Sequence, residues 1–350
     1  MYNKAFLFIP LLFSFISSNA QIGGNNTFEF LNLSPSARTT ALGANHISIV
    51  DDDVDLAFTN PSLLNESFHS QLSLGVIKYF SGIKYGTANY AHQYKNCGTF
   101  LVGFQYVTYG DFDYTDETGE ILAGFGATDH NLNIGWGMAV DTTYSIGANL
   151  KTIYSQYEGY NSLGFALDIA GTYYNEKKKL AVAGLIKNMG TQVDAYRKGN
   201  KEPLPFDIQL GISKRLAHVP FRFSILAHHL YKFDIRYNDT NIVTTTSFVD
   251  DTTTKAKKYY ADKAFRHLAF GGELLLSKGF NVRVGYNHLR RRELDLQNKF
   301  TMAGFSWGFG IKVKKFHFSY GRGIFHAAGP SNHFTLTARL SEFITSKAVN

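Results

Sequence analysis

The chain alternates. Ser162, Gly164, Ala166, Asp168 and Ala170 interleave with Leu163, Phe165, Leu167 and Ile169, and the same two-residue period recurs from about residue 70 to residue 341. Such a period places polar side chains on one face of a strand and apolar side chains on the other. A secretion signal stands in front of it. Lys4 supplies a short basic region, Phe6 to Ile16 are almost all apolar, and Ser18-Asn19-Ala20 fits a cleavage site before Gln21. The apolar run is too short for a spanning helix, and a polar segment follows it. Signal and alternation together predict an all-β chain of the cell outer membrane: a closed transmembrane antiparallel β-barrel. A soluble sandwich would show the same local pattern, because it too buries one face of each strand.

The expected division is a signal peptide over 1–20, an N-terminal plug-like segment over 21–68, a barrel over 69–343 and a tail over 344–350. The 30 Phe and 21 Tyr can supply lipid contacts and girdles, and the 32 Gly can relieve curvature. Cys97 is the single cysteine, so no intrachain disulfide and no cysteine metal site can form. A lone Cys in an oxidising compartment is expected to be buried. The net charge of +7 does not argue for nucleic acid: the basic residues are scattered, with small clusters at Lys177–Lys179, Lys255–Lys258 and Arg290–Arg292. They suit solvated turns, or contact with anionic lipopolysaccharide or an acidic partner.

Fifteen strand candidates follow one another: 70–79, 83–94, 99–109, 119–129, 131–140, 144–155, 160–173, 180–188, 205–214, 221–233, 266–277, 280–289, 299–311, 313–321 and 332–341. Bacterial single-chain barrels close with an even number. One candidate is therefore wrong, the weakest being 131–140 and the first; fourteen strands are expected, sixteen being the runner-up. Phe100, Val102, Phe104 and Tyr106 are assigned to lipid, as are Phe280, Val282, Val284 and Tyr286, with Asn281, Arg283 and Asn287 opposite. A charge such as Arg283 or Arg339 facing the bilayer midplane would cost roughly 2–4 kcal/mol, so the lumen is its expected place. The longest connection, Tyr237 to Lys263, has the length of an extracellular loop. Counting fifteen strands from a periplasmic start puts it on the wrong side, a second sign of the miscount.

Before the strands, Ser34, Pro35 and Ser36 can start a short helix, and Asn60-Pro61 reads as a turn. Asp51, Asp52, Asp53 and Asp55 lack the spacing of a calcium loop and read as a solvated turn. His228 and His229 are adjacent, so a strand would send them to opposite faces. Ser331 and His333 share a face, but no nucleophile elbow, zinc motif or phosphate loop occurs, and neither enzyme activity nor a cofactor or metal is expected. Glu158, Asp168, Glu273, Arg266, Arg283 and Arg339 are candidates for the interior. They suit either a pore or a plugged barrel cross-linked by ion pairs. Phe28, Phe30 and Phe58 favour the plugged case.

The segment Gln21-Ile22-Gly23-Gly24-Asn25-Asn26-Thr27-Phe28-Glu29-Phe30-Leu31-Asn32-Leu33, with Ser36-Ala37-Arg38, Ala41-Leu42-Gly43, Asp51-Asp52-Asp53-Val54-Asp55 and Asn60-Pro61, resembles the PorQ-like components of the Bacteroidetes type IX secretion system. These belong to a wider group with the PorV-like and FadL-like barrels. Ala44 and Ser62 depart mildly from the usual Gly and Ala. The resemblance implies a fourteen-stranded barrel in a surface attachment complex with PorU-, PorV- and PorZ-like partners beside lipopolysaccharide, holding the PorZ-like partner without catalysing anything. The alternative it implies is a FadL-like transporter of hydrophobic small molecules, which predicts a greasy pocket near the N-terminal segment and a lateral opening, marked by a kink such as one at Gly124 or Gly126. A general porin would instead have a wide charged lumen. Arg236, Lys255, Lys257, Lys258 and Asp262 are the candidate partner-binding loop residues.

Overall fold

A computed structural model describes residues 26–79, 82–236, 260–277, 279–294, 302–326 and 329–344. The signal peptide expected over 1–20 lies outside them. The strands are β1 (Gln71–Lys78), β2 (Lys84–Gln93), β3 (Thr99–Thr115), β4 (Ile121–Ala139), β5 (Tyr144–Tyr157), β6 (Tyr160–Asn175), β7 (Leu180–Asp194), β8 (Asp207–Arg215), β9 (Phe221–Ala227), β10 (Leu268–Leu274), β11 (Phe280–Asn287), β12 (Phe305–Val313), β13 (Phe316–His326) and β14 (Gly329–Arg339). Each pairs antiparallel with its neighbour in sequence, and β1 pairs with β14, so the sheet closes into a barrel of fourteen strands. Among the described residues no helix is long and apolar enough to cross a membrane.

The surplus strand candidate is found in β4. Candidates 119–129 and 131–140 are one continuous strand, Ile121–Ala139. Thr128-Asp129-His130 resembles a turn but lies in register with both neighbours. Asp129 faces inward and accepts hydrogen bonds from Tyr109 Oη at 2.6 Å, Tyr157 Oη at 2.9 Å and Ser155 Oγ. Several other candidates are shorter than expected: β9 stops at Ala227, β10 begins at Leu268, and β12 begins at Phe305.

With fourteen strands every long connection falls at one end. One end carries 94–98, 140–143, 176–179, 216–220, 275–279 and 314–315; the other carries the long connections 195–206, 228–267 and 288–304. Barrels of the outer membrane keep short turns on the periplasmic side and long loops outside. The connection from β9 to β10 therefore leaves and returns at the extracellular rim, and the parity conflict disappears.

Alternation places side chains as expected. Val102, Ile134, Leu150, Leu210, Val284 and Phe334 are among the exposed apolar residues on the outer wall. Arg283, Glu273, Asp168 and His333 are at most 1% exposed inside. Glu158 is instead an exposed turn residue with φ 55°, and Arg266 belongs to a loop helix, so neither is in the lumen. Cys97 is exposed, contrary to the expectation of burial, because its short turn lies at the periplasmic rim.

Residues 26–70 fill the lumen. Their helices are α1 (Ala37–Ala41) and α2 (Val54–Thr59), with short 3-10 turns between and around them. Ser36 caps α1 and forms a capping box with Thr39; Asp53 caps α2 through Asp55 N. Asn60 caps the next turn, with Pro61 in its first position. Irregular backbone at membrane depth is tolerated only when its polar groups find partners. The inward face of the strands supplies them. Thr87 Oγ1 donates to Pro35 O at 2.9 Å, Asn149 Nδ2 to Phe58 O at 3.1 Å, Lys187 Nζ to Leu31 O at 3.1 Å, Ser213 Oγ to Ser48 O at 2.6 Å and Ser306 Oγ to Ala41 O at 3.1 Å. In the other direction Ala37 N donates to Thr335 Oγ1 at 2.9 Å. The polar inner face thus serves as the hydrogen-bonding lining of a plug.

Three apolar clusters hold the plug, one of them through Ala44 and Ile47 against Ala170, Ala183, Leu185, Leu226 and Ala269. Toward the periplasm Val54, Leu56, Phe58, Leu63, Leu64 and Phe68 pack on Ala91 and Leu101. Toward the outside Phe28, Phe30 and Leu31 pack with Ile77, Tyr85, Val107, Ile153 and Leu204.

Candidate functional site

The plug is held at one place by charge. The Arg38 guanidinium is 5% exposed and reaches three carboxylates: Nη2 to Asp51 Oδ2 at 2.6 Å, Nη1 to Asp53 Oδ2 at 3.0 Å and Nε to Glu273 Oε1 at 2.9 Å. Glu273 stands directly opposite Arg222 on β9 and Arg283 on β11 in the strand registers. Arg222 Nε lies 2.9 Å from Glu273 Oε2 and its Nη1 3.0 Å from Asp51 Oδ2; Arg283 Nε lies 3.2 Å from Glu273 Oε1. Three cations thus face three anions, and the cluster is neutral. The acidic run read as a solvated turn is instead a set of pegs: Asp51 and Asp53 bind Arg38, while Asp55 is buried and accepts from Ser73 Oγ at 2.9 Å and Asn89 Nδ2 at 2.8 Å. A buried ion cluster adds little net stability over apolar packing, but losing one member is costly. Its effect here is positional: it fixes α1 and residues 51–53 against β9–β11.

The wall is incomplete at β7. This strand runs to Asp194, yet it pairs with β8 only over Leu180–Lys187. At Asn188 (φ 57°) the register to β6 shifts, and Asn188 N donates to the Asp168 side chain at 2.7 Å instead of to a backbone carbonyl. Lys151 Nζ ties the bulge by reaching Asp168 Oδ2 at 2.6 Å and Asn188 Oδ1 at 2.8 Å. Beyond it, the β8 side of β7 is covered by the loop 200–206. Glu202 N donates to Gln192 Oε1 at 2.8 Å, Asn188 Nδ2 to Pro205 O at 2.8 Å, and Thr27 N to Pro203 O at 2.9 Å. Leu204 projects inward to the Phe28–Phe30–Leu31 cluster. The outer wall at this level is apolar: Leu167 pairs with Met189, Phe165 with Thr191, and both Leu167 and Phe165 are exposed. An apolar interior therefore meets an apolar exterior across a loop, with no strand pairing between β7 and β8. A second bulge, at Tyr109–Gly110 of β3, stands opposite Ala127 and next to the Asp111–Gly126 pair, so the irregularity there lies in the strand opposite the glycines that sequence singled out.

The extracellular candidates separate. Lys255, Lys257 and Lys258 lie outside the described residues. Arg236 pairs with Asp234 at 2.9 Å. Asp262 is in α3 (Tyr260–Arg266), which packs on α4 (His288–Glu293). Its carboxylate binds Arg266 Nε at 2.8 Å, Arg292 Nε at 2.7 Å and His288 Nε2 at 3.2 Å, so it ties two helices together. Partial burial would raise its pKa, but these hydrogen bonds hold it well below the usual carboxylate range. A depressed carboxyl pKa contributes stability above the unfolded value that disappears as pH falls. The α3–α4 contact is accordingly expected to loosen on acidification below pH ~4, and Asp262→Asn is expected to remove that part of the pH dependence, read by hydrogen exchange over 260–266 and 288–293.

His228 and His229 do not part to opposite faces. β9 has already ended, His229 takes φ 56°, and the two Nδ1 atoms meet at 2.6 Å. Among the described residues no group of three ligands able to hold a metal forms. Ser331 Oγ and His333 Nε2 are 3.0 Å apart, but both residues are at most 1% exposed, and the His333 Nδ1 contacts Thr40 Oγ1 at 2.7 Å. The pair seats α1 on β14.

No protein-family model matches the chain, and no curated protein matches it. Solved structures do. A deltaS2S3 mutant of the monoaromatic hydrocarbon channel TodX is 10% identical, with 87% of this chain and 97% of that chain covered and a TM-score of 0.52. A deltaS2 mutant of the same channel is 11% identical, with 87% and 96% covered and a TM-score of 0.50. The Pseudomonas putida toluene transporter TodX is 10% identical, with 87% and 96% covered and a TM-score of 0.49. At such identities the first two speak for the fold alone. The chain is a fourteen-stranded antiparallel barrel of the outer membrane.

Proposed function

We propose that the protein moves small hydrophobic molecules between its extracellular face and the outer membrane, through the side of the barrel rather than along its lumen. The observation that carries this is the breach at β7–β8: the apolar cluster of Phe28, Phe30, Leu31 and Leu204 lies behind a segment with no β7–β8 pairing. Lengthwise passage would have to displace the whole hydrogen-bonded plug. Lateral passage needs only the loop 200–206 to move, and this loop is held by a few hydrogen bonds. The likeness of fold to TodX, described as a monoaromatic hydrocarbon channel, supports the same reading. The alternative drawn from sequence, a FadL-like transporter, is thereby preferred to the anchoring role.

Anchoring of a PorZ-like surface partner, in company with PorU- and PorV-like proteins, is the second reading. It draws support from the α3–α4 platform, fastened at Asp262, and from the N-terminal resemblance. Shortening 237–259 is then expected to abolish recovery of a surface protein from solubilised outer membranes.

The transport reading is tested by closing the breach. With Cys97→Ser as background, Gln192→Cys and Glu202→Cys place thiols on β7 and on the covering loop. Toluene transfer into vesicles carrying the oxidised protein is expected to fall about tenfold and to return on reduction. Transfer no faster than into empty vesicles, or the same rate with the bridge closed, would refute lateral passage.

A further inference from the structure

The periplasmic mouth is not uniformly filled. Beneath β2–β5 the plug packs on the wall, through Leu64 and Phe68 with Ala91 and Leu101, and through Pro61 at Gly137 and Gly147. Below β8–β14 a cavity of about 480 Å³ remains, bounded by the turn at 275–279 and by the ends of β8, β12 and β14. Seven cationic side chains line it against four carboxylates. Arg38, Arg222 and Arg283 are already matched by Asp51, Asp53 and Glu273 in the ion cluster that forms its floor. The excess lies at the rim. Arg215 and Lys312 end the inward-facing rows of β8 and β12, and among the described residues neither has a carboxylate partner. Arg339 gives Nη2 to Ser67 O at 3.0 Å, while its buried Nε finds no acceptor among the described residues.

A concave site with unmatched cations from three separate strands, one of them carrying an unsatisfied buried N–H, favours an anion with more than one charged group. We propose that this vestibule binds a multivalent oxyanion, carboxylate or phosphate, presented from the periplasm. The ligand charge sits toward Arg215, Lys312 and Arg339, because Asp51 occupies the floor and repels it. Asp52, which also lines the cavity, opposes binding. The proposal is independent of lateral transport at β7–β8.

Citrate, inorganic phosphate and a pentaglutamate peptide are titrated calorimetrically into the full-length protein in detergent, at constant ionic strength. Saturable binding of at least one is expected. Arg215→Gln with Lys312→Gln should weaken it about tenfold, and Asp52→Asn should tighten it severalfold, since both change charge at the rim. All three residues lie outside the buried cluster, and retained heat-modifiable migration verifies folding. Binding of citrate or phosphate identifies a free anion as sufficient; binding of the peptide alone identifies the carboxylates of a periplasmic protein. No saturable binding of any of the three, or binding unchanged in both variants, overturns the proposal.

Discussion

Replacing Arg38 with methionine is expected to release the plug while leaving the barrel closed. Methionine retains most of the side-chain volume but leaves Asp51, Asp53 and Glu273 facing only Arg222 and Arg283. Removing one partner from a buried ion cluster costs about 3–5 kcal/mol, because the surviving charge stays desolvated. That exceeds what one or two plug hydrogen bonds return, at about 0.5–1.5 kcal/mol each. The cheapest relaxation moves residues 36–53 out toward the periplasmic cavity, where Asp51 is already 22% exposed. Two readings check it: ion conductance in planar bilayers should rise well above wild type, and proteolysis should cut within 36–53. Asp53→Asn added to Arg38→Met should recover part of the loss, since among the described residues Asp53 forms its ion pair with Arg38 and asparagine still caps α2. Unchanged conductance and protection in the single variant would mean that the cluster does not hold the plug.

Which features the sequence exposes follows from their physics. A period of two is local, so the strands and their lipid faces can be read residue by residue, as can the caps at Ser36 and Asn60, each of which acts within three residues of itself. Features that depend on distant partners cannot. The acidic run over 51–55 resembles a solvated turn because its partners are Arg38, Arg222 on β9 and, for Asp55, Ser73 and Asn89, with Glu273 joining the cluster from 235 residues beyond Arg38. Thr128-Asp129-His130 imitates a turn because Asp129 is needed inside, by tyrosines from β3 and β5. The bulge at Asn188 depends on Asp168 and Lys151, one strand and two strands away, so no local residue announces it. The breach follows from where β8 begins, and Asp207 looks no different in sequence from any other strand start.

Adding a single carbon to the barrel wall should displace the plug from the opposite direction. A Cβ on Gly321 would stand 2.0 Å from Ala37 O, and one on Gly147 would stand 2.4 Å from Pro61 C and 2.5 Å from Ser62 N, where contacts under 3.0 Å essentially never occur. These glycines are required by close approach, not by backbone angle. Gly285 and Gly321 admit α1 and its end on one side of the lumen, and Gly137 and Gly147 admit the Asn60–Pro61 turn on the other. The obstructing atoms are plug backbone, which has no rotamer to change. Retreat from Gly321 pushes the segment toward strands that already grip it through Thr87 and Ser213. Overpacking of this kind costs about 1–3 kcal/mol in a core that can adjust, and more where backbone meets backbone. Gly321→Ala and Gly147→Ala are each expected to expose 26–70 to added protease, with the barrel itself still closed by heat-modifiable migration. Gly171→Ala is the matched control: its Cβ would meet nothing nearer than Ser145 O at 3.9 Å. If all three variants protect the plug equally, the wall yields more readily than its strand pairing implies, and the plug is not seated by glycine contact. If the first two alone release it, the glycines set the fit of the segment, and the ion cluster at Arg38 fixes its place within that fit.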